Sequence, residues 1–334
     1  MNGRAPDYLF GQSAEEAERL RLQARMFAPY TARFLQDAGI SPGMKVLDVG
    51  TGAGDVALLA AGLVGQQGAV VGIDFNAELI QTSRARAAAA GIEHVSFVVG
   101  DAASVELDRG FDAVVGRCVL FFAREPAALV RRLTGYIRDG GIVAFQEPAN
   151  ATLAPMSLPH SQLLERLWGW ILETYRRADM DLFMGLRLRS IFAEAGLPAP
   201  EMHLDAAAGG GPDWPGYEYM ARLIRTILPQ ITKLGVATED DVGIDTLADR
   251  LRAKPQATTA PPSPGASSPS GLTTRPVPED QRAWRHSANA ELADLRSGPS
   301  PPPGRSKAHR VGGSLMLWSV RHTTSRSLTM AAVR

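Results

Sequence analysis

The chain has one cysteine, Cys118, in 334 residues, so it can close no disulfide within itself and can build no thiolate metal cluster. Its 35 basic and 35 acidic side chains cancel, which removes the broad positive field that draws in nucleic acid. Only four of the basic residues are lysine, and the arginine, alanine, glycine and proline bias is that of a GC-rich genome. No apolar run approaches the ~18 residues that span a bilayer. The opening MNGRAPDYLF lacks an apolar stretch with a small-residue cleavage site, so a cytoplasmic location is expected.

What is present divides unevenly. Residues 255–334 hold ten basic and four acidic side chains, whereas residues 1–254 hold 25 and 31. Pro, Gly, Ser and Thr fill 36 of those last 80 positions, too few apolar groups to offset the entropy of ordering them. The expectation is a body over 1–254 and a low-complexity, largely disordered tail over 255–334, which resembles out-of-frame translation of GC-rich DNA. One island, from Gly312 to Val320, has the composition of a strand.

The body opens with Ser13 and Glu16, spaced as a capping box, ahead of a helix that puts Leu20, Ala24, Phe27, Thr31 and Phe34 on one face and stops at Gly39. Strands are then expected at 45–50, 69–74, 95–99, 111–116 and 141–147, with helices near 55–64, 77–90 and 125–138. Such alternation predicts an α/β fold, a doubly wound and mostly parallel sheet with right-handed crossovers. Helical insertions follow the fifth strand: an amphipathic helix at 161–177, a second at 185–195, then a strand at 201–207 and helices near 213–234 and 238–253.

The chemistry concentrates in Val46-Leu-Asp-Val-Gly50-Thr51-Gly52-Ala-Gly54-Asp55, between a strand and a helix. Glycines there permit a sharp turn and close approach of a ligand, and the helix start offers unpaired N–H groups. Asp74 ends the second strand, where a carboxylate can accept from ribose hydroxyls; alone it is also an ordinary strand-end acid. Asp101 follows the third strand, where it can accept from an adenine amine or merely cap a helix. Together these residues line one carboxyl edge, the ligand edge of open α/β sheets. A dinucleotide fingerprint would need glycine at position 55, where this chain has aspartate.

The segments VLDVGTGAGDVA, GIDFN, GDAAS, FDAVVGRCVLFF and IRDGGIVAFQEP, in that order, resemble class I S-adenosylmethionine-dependent methyltransferases, and within them the branch of quinone C-methyltransferase-like small-molecule enzymes. The resemblance covers residues 8–250 and is strongest over 45–147. It implies a Rossmann-like core over 40–150, with lid and substrate elements at 8–38 and 151–235. It also implies S-adenosylmethionine as the cofactor and no metal. Gly50, Thr51, Gly52 and Gly54 would line its methionine part. Asp74 would hold the ribose, Phe75 would flank the adenine, and Asp101 with Ala102 would meet the adenine edge. Arg117 would pair with its carboxylate or cap the sheet edge, and Tyr8 would belong to a lid.

Such enzymes have no universal catalytic residue, because the cofactor carries the hard chemistry. His160, Glu147 and Tyr217 are candidates for a base or orienter, and Trp214, Trp168, Trp170 and Met184 for pocket walls or core. Relatives finish the sheet with a hairpin of strands six and seven. Here the seventh strand is either Leu315–Val320 or missing.

The expected function is methyl transfer to a small, partly apolar metabolite. Three alternatives stand beside it: a nucleotide-cofactor oxidoreductase, a nucleic-acid or protein methyltransferase, and a non-catalytic cofactor-binding protein. The second lacks its Asn/Asp-Pro-Pro-aromatic motif, because Gly116-Arg-Cys-Val occupies that place. Neither nucleic acid nor membrane is an expected partner, and the sequence is silent on oligomeric state.

Overall fold

A computed structural model describes residues 14–148, 157 and 160–253, together with the backbone of the strand 315–323. Seven strands form one sheet: β1 (Lys45–Val49), β2 (Ala69–Asp74), β3 (Val95–Val99), β4 (Phe111–Arg117), β5 (Ile137–Pro148), β6 (Glu201–Ala207) and β7 (Leu315–Thr323). Their order is β3-β2-β1-β4-β5-β7-β6. The first five are parallel, and β7 runs antiparallel to both of its neighbours. The doubly wound architecture follows from the alternation of apolar strand runs and helices, now carried to completion by the hairpin-like edge.

The helices are α1 (Ala14–Asp37), α2 (Asp55–Val64), α3 (Ala77–Ala89), α4 (Pro126–Thr134), α5 (Gln162–Arg177), α6 (Met184–Glu194), α7 (Gly216–Lys233), α8 (Glu239–Val242) and α9 (Leu247–Arg252). Successive strand residues point to opposite faces, so each apolar run feeds two cores. Val46, Val70, Val115 and Ala144 pack with α2, α3 and the end of α1. Leu47, Val49, Val114 and Phe145 pack with α4, α5, α6 and α7. Helix α1 straddles the two, with Leu22 and Phe27 in the second core and Phe34 and Leu35 in the first.

Two elements depart from expectation. The helix after β4 ends at Thr134, because β5 begins early at Ile137 and passes a register shift opposite Phe111 and Ala113, with Gly140 at φ 78. The helix expected over 238–253 is broken by Gly243 at φ 55 into α8, a 3-10 turn and α9. Both Glu16 oxygens accept from Arg19, at 2.7 and 2.6 Å, and the capping box expected at Ser13 lies outside the described residues.

The seventh strand is present. It begins at Leu315 and runs three residues past Val320, pairing Phe145 with Val320 on one side and Leu204 with Trp318 on the other. The sheet therefore draws on residues well beyond 254. The remaining expectations for the tail lie outside the described residues, as does Tyr8.

Candidate cofactor and substrate site

The chain winds one way from β1 to β3 and the other way through β4 and β5, so a crevice opens between the carboxyl ends of β1 and β4. The glycine turn fills its floor. Gly50, Gly52 and Gly54 all have left-handed backbones, at φ 63, 53 and 85. A Cβ on Gly50 would strike Val119 at 2.7 Å, whereas one on Gly52 would meet nothing within 4 Å. The turn is thus tight beneath and open above, the shape of a cradle for a ligand. The Thr51 N–H donates to the Ile73 carbonyl at 2.9 Å, which ties the turn to β2.

Asp74 also holds this turn. Its Oδ2 accepts from the Gly52 N–H and its Oδ1 from the Asn76 N–H, both at 2.9 Å. Burial pushes its carboxyl above the usual range, and those two N–H bonds oppose the shift. Phe75, the next residue, is 58% exposed. Asn76 caps α3 by accepting from the Glu78 and Leu79 N–H groups. Asp101 is exposed and its Oδ1 accepts from the Ala103 N–H at 2.9 Å, so it does cap the turn that follows β3; Ala102 beside it is half-buried.

Asp48 lies below the turn, fully buried, and neither carboxylate oxygen has a hydrogen-bond partner; the Thr51 hydroxyl is likewise unpartnered. Burial pushes Asp48 up to about 7. Thr51 and the Ala57 N–H are near enough to temper that shift without reaching hydrogen-bonding geometry.

On the β4 side, Arg117 donates to the Thr31 hydroxyl at 3.2 Å and stands 4.0 Å from Asp55, which Arg86 also engages at 2.7 Å. Thr31 in turn donates to the buried Gln146 at 2.8 Å. Arg117 therefore joins α1, α2 and the β5 end at one point. Cys118 follows with φ 56, a strained conformation for a residue with a side chain. Burial pushes its thiol up to about 12, away from a reactive thiolate.

The three base candidates differ sharply in setting. The Glu147 carboxylate accepts from the Val119, Leu120 and Phe121 N–H groups at 2.9, 2.9 and 3.1 Å, so it caps the 3-10 turn Leu120–Phe122. Burial nonetheless pushes it up to about 7. His160 is an exposed neighbour of Glu165 at 3.4 Å, at the start of α5. Tyr217 packs edge-on against Trp214 at 5.0 Å, and that indole covers Gly209 and Gly216. This pair closes the entrance to α7. Trp168 and Met184 are buried in the core, and Trp170 packs against it half-buried.

Sequence reading missed the pairing of Thr31 with Gln146 and the capping by Glu147. A glutamine and a glutamate ending an otherwise apolar strand were the visible signal. Among the described residues no group of three or more His, Cys, Asp and Glu could hold a metal ion, and no helix is long and apolar enough to cross a membrane.

The site thus combines a doubly wound sheet closed by an antiparallel seventh strand with a glycine cradle after β1 and an acid after β2. Residues 40–196 match the family described as methyltransferase domain. Over 140 residues the chain is 32% identical to aklanonic acid methyltransferase of Streptomyces sp. (strain C5), covering 42% of this chain and 63% of that one. It is 34% identical over 111 residues to the arsenite methyltransferase of Halobacterium salinarum, covering 33% and 28% of the two chains. Demethylmenaquinone methyltransferase of Staphylococcus aureus (strain MRSA252) is 31% identical over 122 residues, covering 36% and 50%. The chain thus spans less than two thirds of the length of these relatives.

Proposed function

We infer that the chain transfers a methyl group from S-adenosylmethionine to a small, partly apolar metabolite. The observation that carries this reading is the open cradle at Gly52, whose N–H is held by the Asp74 carboxylate. The relatives named above act on small molecules, which supports the substrate class.

When bound, S-adenosylmethionine supplies an electrophilic methyl group on sulfur. The chain's own residues hold and orient. Gly50, Thr51, Gly52 and Gly54 leave room for the methionine part, and Asp74 has oxygen lone pairs left to accept from the ribose hydroxyls. Phe75 offers its exposed face to the adenine, with Asp101 and Ala102 at the adenine edge. Arg117 lies 8% exposed by side chain at the crevice, placed to pair with a carboxylate. Catalysis then rests on presenting the acceptor atom in line with the methyl group, within a site that excludes water. Glu147 acts by position, because its oxygens are committed to the turn that carries Val119.

A dinucleotide oxidoreductase fits less well. Asp55 stands at the start of α2, where a pyrophosphate would have to sit, and its charge opposes that of phosphate. Calorimetric titration of the full chain with S-adenosylmethionine, and separately with NAD, tests the choice. Micromolar binding of the first alone is expected; binding of NAD, or of neither by a folded chain, refutes the reading.

A further inference from the structure

Arg117 ends β4, and the end of β5 holds it twice over. In the sheet it pairs with Gln146. The next N–H, that of Cys118, donates to the Gln146 carbonyl at 2.9 Å. The Gln146 side chain, fully buried, accepts from the Thr31 hydroxyl of α1 at 2.8 Å. Thr31, buried as well, accepts from Arg117 Nη1 at 3.2 Å. Arginine has no acceptor, so Thr31 must accept from it and spends its single hydrogen on Gln146. The hydroxyl thus bonds in both directions at once, with no freedom left to turn.

The other neighbour of Arg117 is Asp55, at the start of α2. Asp55 Oδ1 engages Arg86 at 2.7 Å, whereas its Oδ2 stands 4.0 Å from Arg117 Nη2, outside hydrogen-bond distance. Arg86 therefore answers the Asp55 charge, and Arg117 is not drawn into a close pair. Among the described residues the Thr31 hydroxyl is the hydrogen-bond partner of Arg117, which leaves N–H groups of a nearly buried guanidinium to spend. The guanidinium is a planar fork, so a bond at Nη1 limits the plane in which the other N–H groups point. A carboxylate is bound best when it meets that fork in its plane.

Resting on the methyltransferase reading, with Arg117 as partner of the cofactor carboxylate, we propose that Thr31 is a positioning residue whose hydroxyl, held by Gln146, orients Arg117 toward that carboxylate. Thr31 does not touch the cofactor in this scheme; it acts through Arg117. The first helix thereby contributes to the choice of cofactor through one side chain. Valine at position 31 keeps the branched shape and loses both bonds.

The test titrates the full chain calorimetrically with S-adenosylmethionine and with its decarboxylated form, which lacks only the carboxylate. The ratio of the two affinities reports the contact made by Arg117. The wild-type chain should prefer S-adenosylmethionine by at least about tenfold, and Arg117→Met should remove most of that preference. Thr31→Val should reduce it by about threefold to tenfold, with affinity for the decarboxylated form unchanged within about twofold. Thr31→Ser, which keeps the hydroxyl, should restore it, and Thr31→Val added to Arg117→Met should lower the ratio no further. Melting curves show which variants fold, and Thr31→Ala replaces Thr31→Val if the valine chain does not. A ratio unchanged by loss of the hydroxyl, or an equal loss for both ligands, would overturn the proposal, since Thr31 would then only anchor α1 to the sheet. An unchanged ratio in Arg117→Met would remove the Arg117 assignment, and failure of the folded wild-type chain to bind S-adenosylmethionine would remove the methyltransferase reading. Both of those results come from chains with Thr31 intact, which separates them from a failure of Thr31 alone.

Discussion

Replacing Asp74 with asparagine tests the site at its centre. The carboxylate accepts from two backbone N–H groups, those of Gly52 and Asn76, each at 2.9 Å. An asparagine amide has one oxygen, so whichever way it turns, one of those N–H groups faces an NH2 group instead of an acceptor. Asp74 is 9% exposed, and water cannot readily take the lost place. A hydrogen bond to a charged group contributes ~1.5–3 kcal/mol, and loss of its partner in a buried site costs at least as much. If half of that cost falls on the glycine turn and the rest on the ribose contacts, affinity for S-adenosylmethionine should drop by roughly threefold to tenfold, at about 1.4 kcal/mol per decade. Calorimetric titration of the wild-type and Asp74→Asn chains measures the drop, and thermal melting measures the part borne by the fold. An Asp74→Asn chain with wild-type affinity would refute the argument that this carboxylate both shapes the cradle and meets the ligand.

Three further outcomes are expected. Gly52→Val should fold, since a Cβ there meets nothing, with ~1–2 kcal/mol lost to its left-handed backbone, but should no longer bind S-adenosylmethionine; retained binding would place the cradle elsewhere. A chain ending at Ala253 should melt at least about 10 °C lower or without a cooperative transition, because β5 and β6 both lose the strand between them; an unchanged melting curve would mean that β7 is dispensable. Asp48 and Glu147, both raised to about 7 in the folded chain, make the native state bind more protons than the unfolded one between about pH 4 and 7. Their contributions, at most about 4 kcal/mol for Asp48 and about 3 kcal/mol for Glu147, are present in acid and lost as pH rises through about 7. The melting temperature should therefore be higher near pH 5.5 than near pH 8, with the difference reduced in Asp48→Asn, and a flat profile would refute the shift.

The legible parts of the site were those carried by local pattern. The glycine turn, the strand-end Asp74 and the cap at Asp101 all lie where strand periodicity and turn chemistry put them. What sequence reading left open was the use of a side chain once it met others. Glu147 stood as a base or an orienter because it ends a strand at the ligand edge, and its oxygens accept from N–H groups 26 to 28 residues earlier in the chain. The 3- and 4-residue intervals from Glu16 to Arg19 and from Arg19 to Gln23 concealed a buried network on one helix face.

The sequence by itself determined the alternation of strands and helices, the turn that opens toward a ligand and the acid beside it, because each depends on neighbours within a few residues. The tertiary structure alone decided that Leu315–Thr323 completes the sheet between β5 and β6, and that Arg117 meets Thr31 from 86 positions away. It also decided that Tyr219 of α7 reaches Gln23 of α1, to which Arg19 donates as well. These contacts close long loops, and their entropy is met only when the whole core forms, so no local pattern announces them.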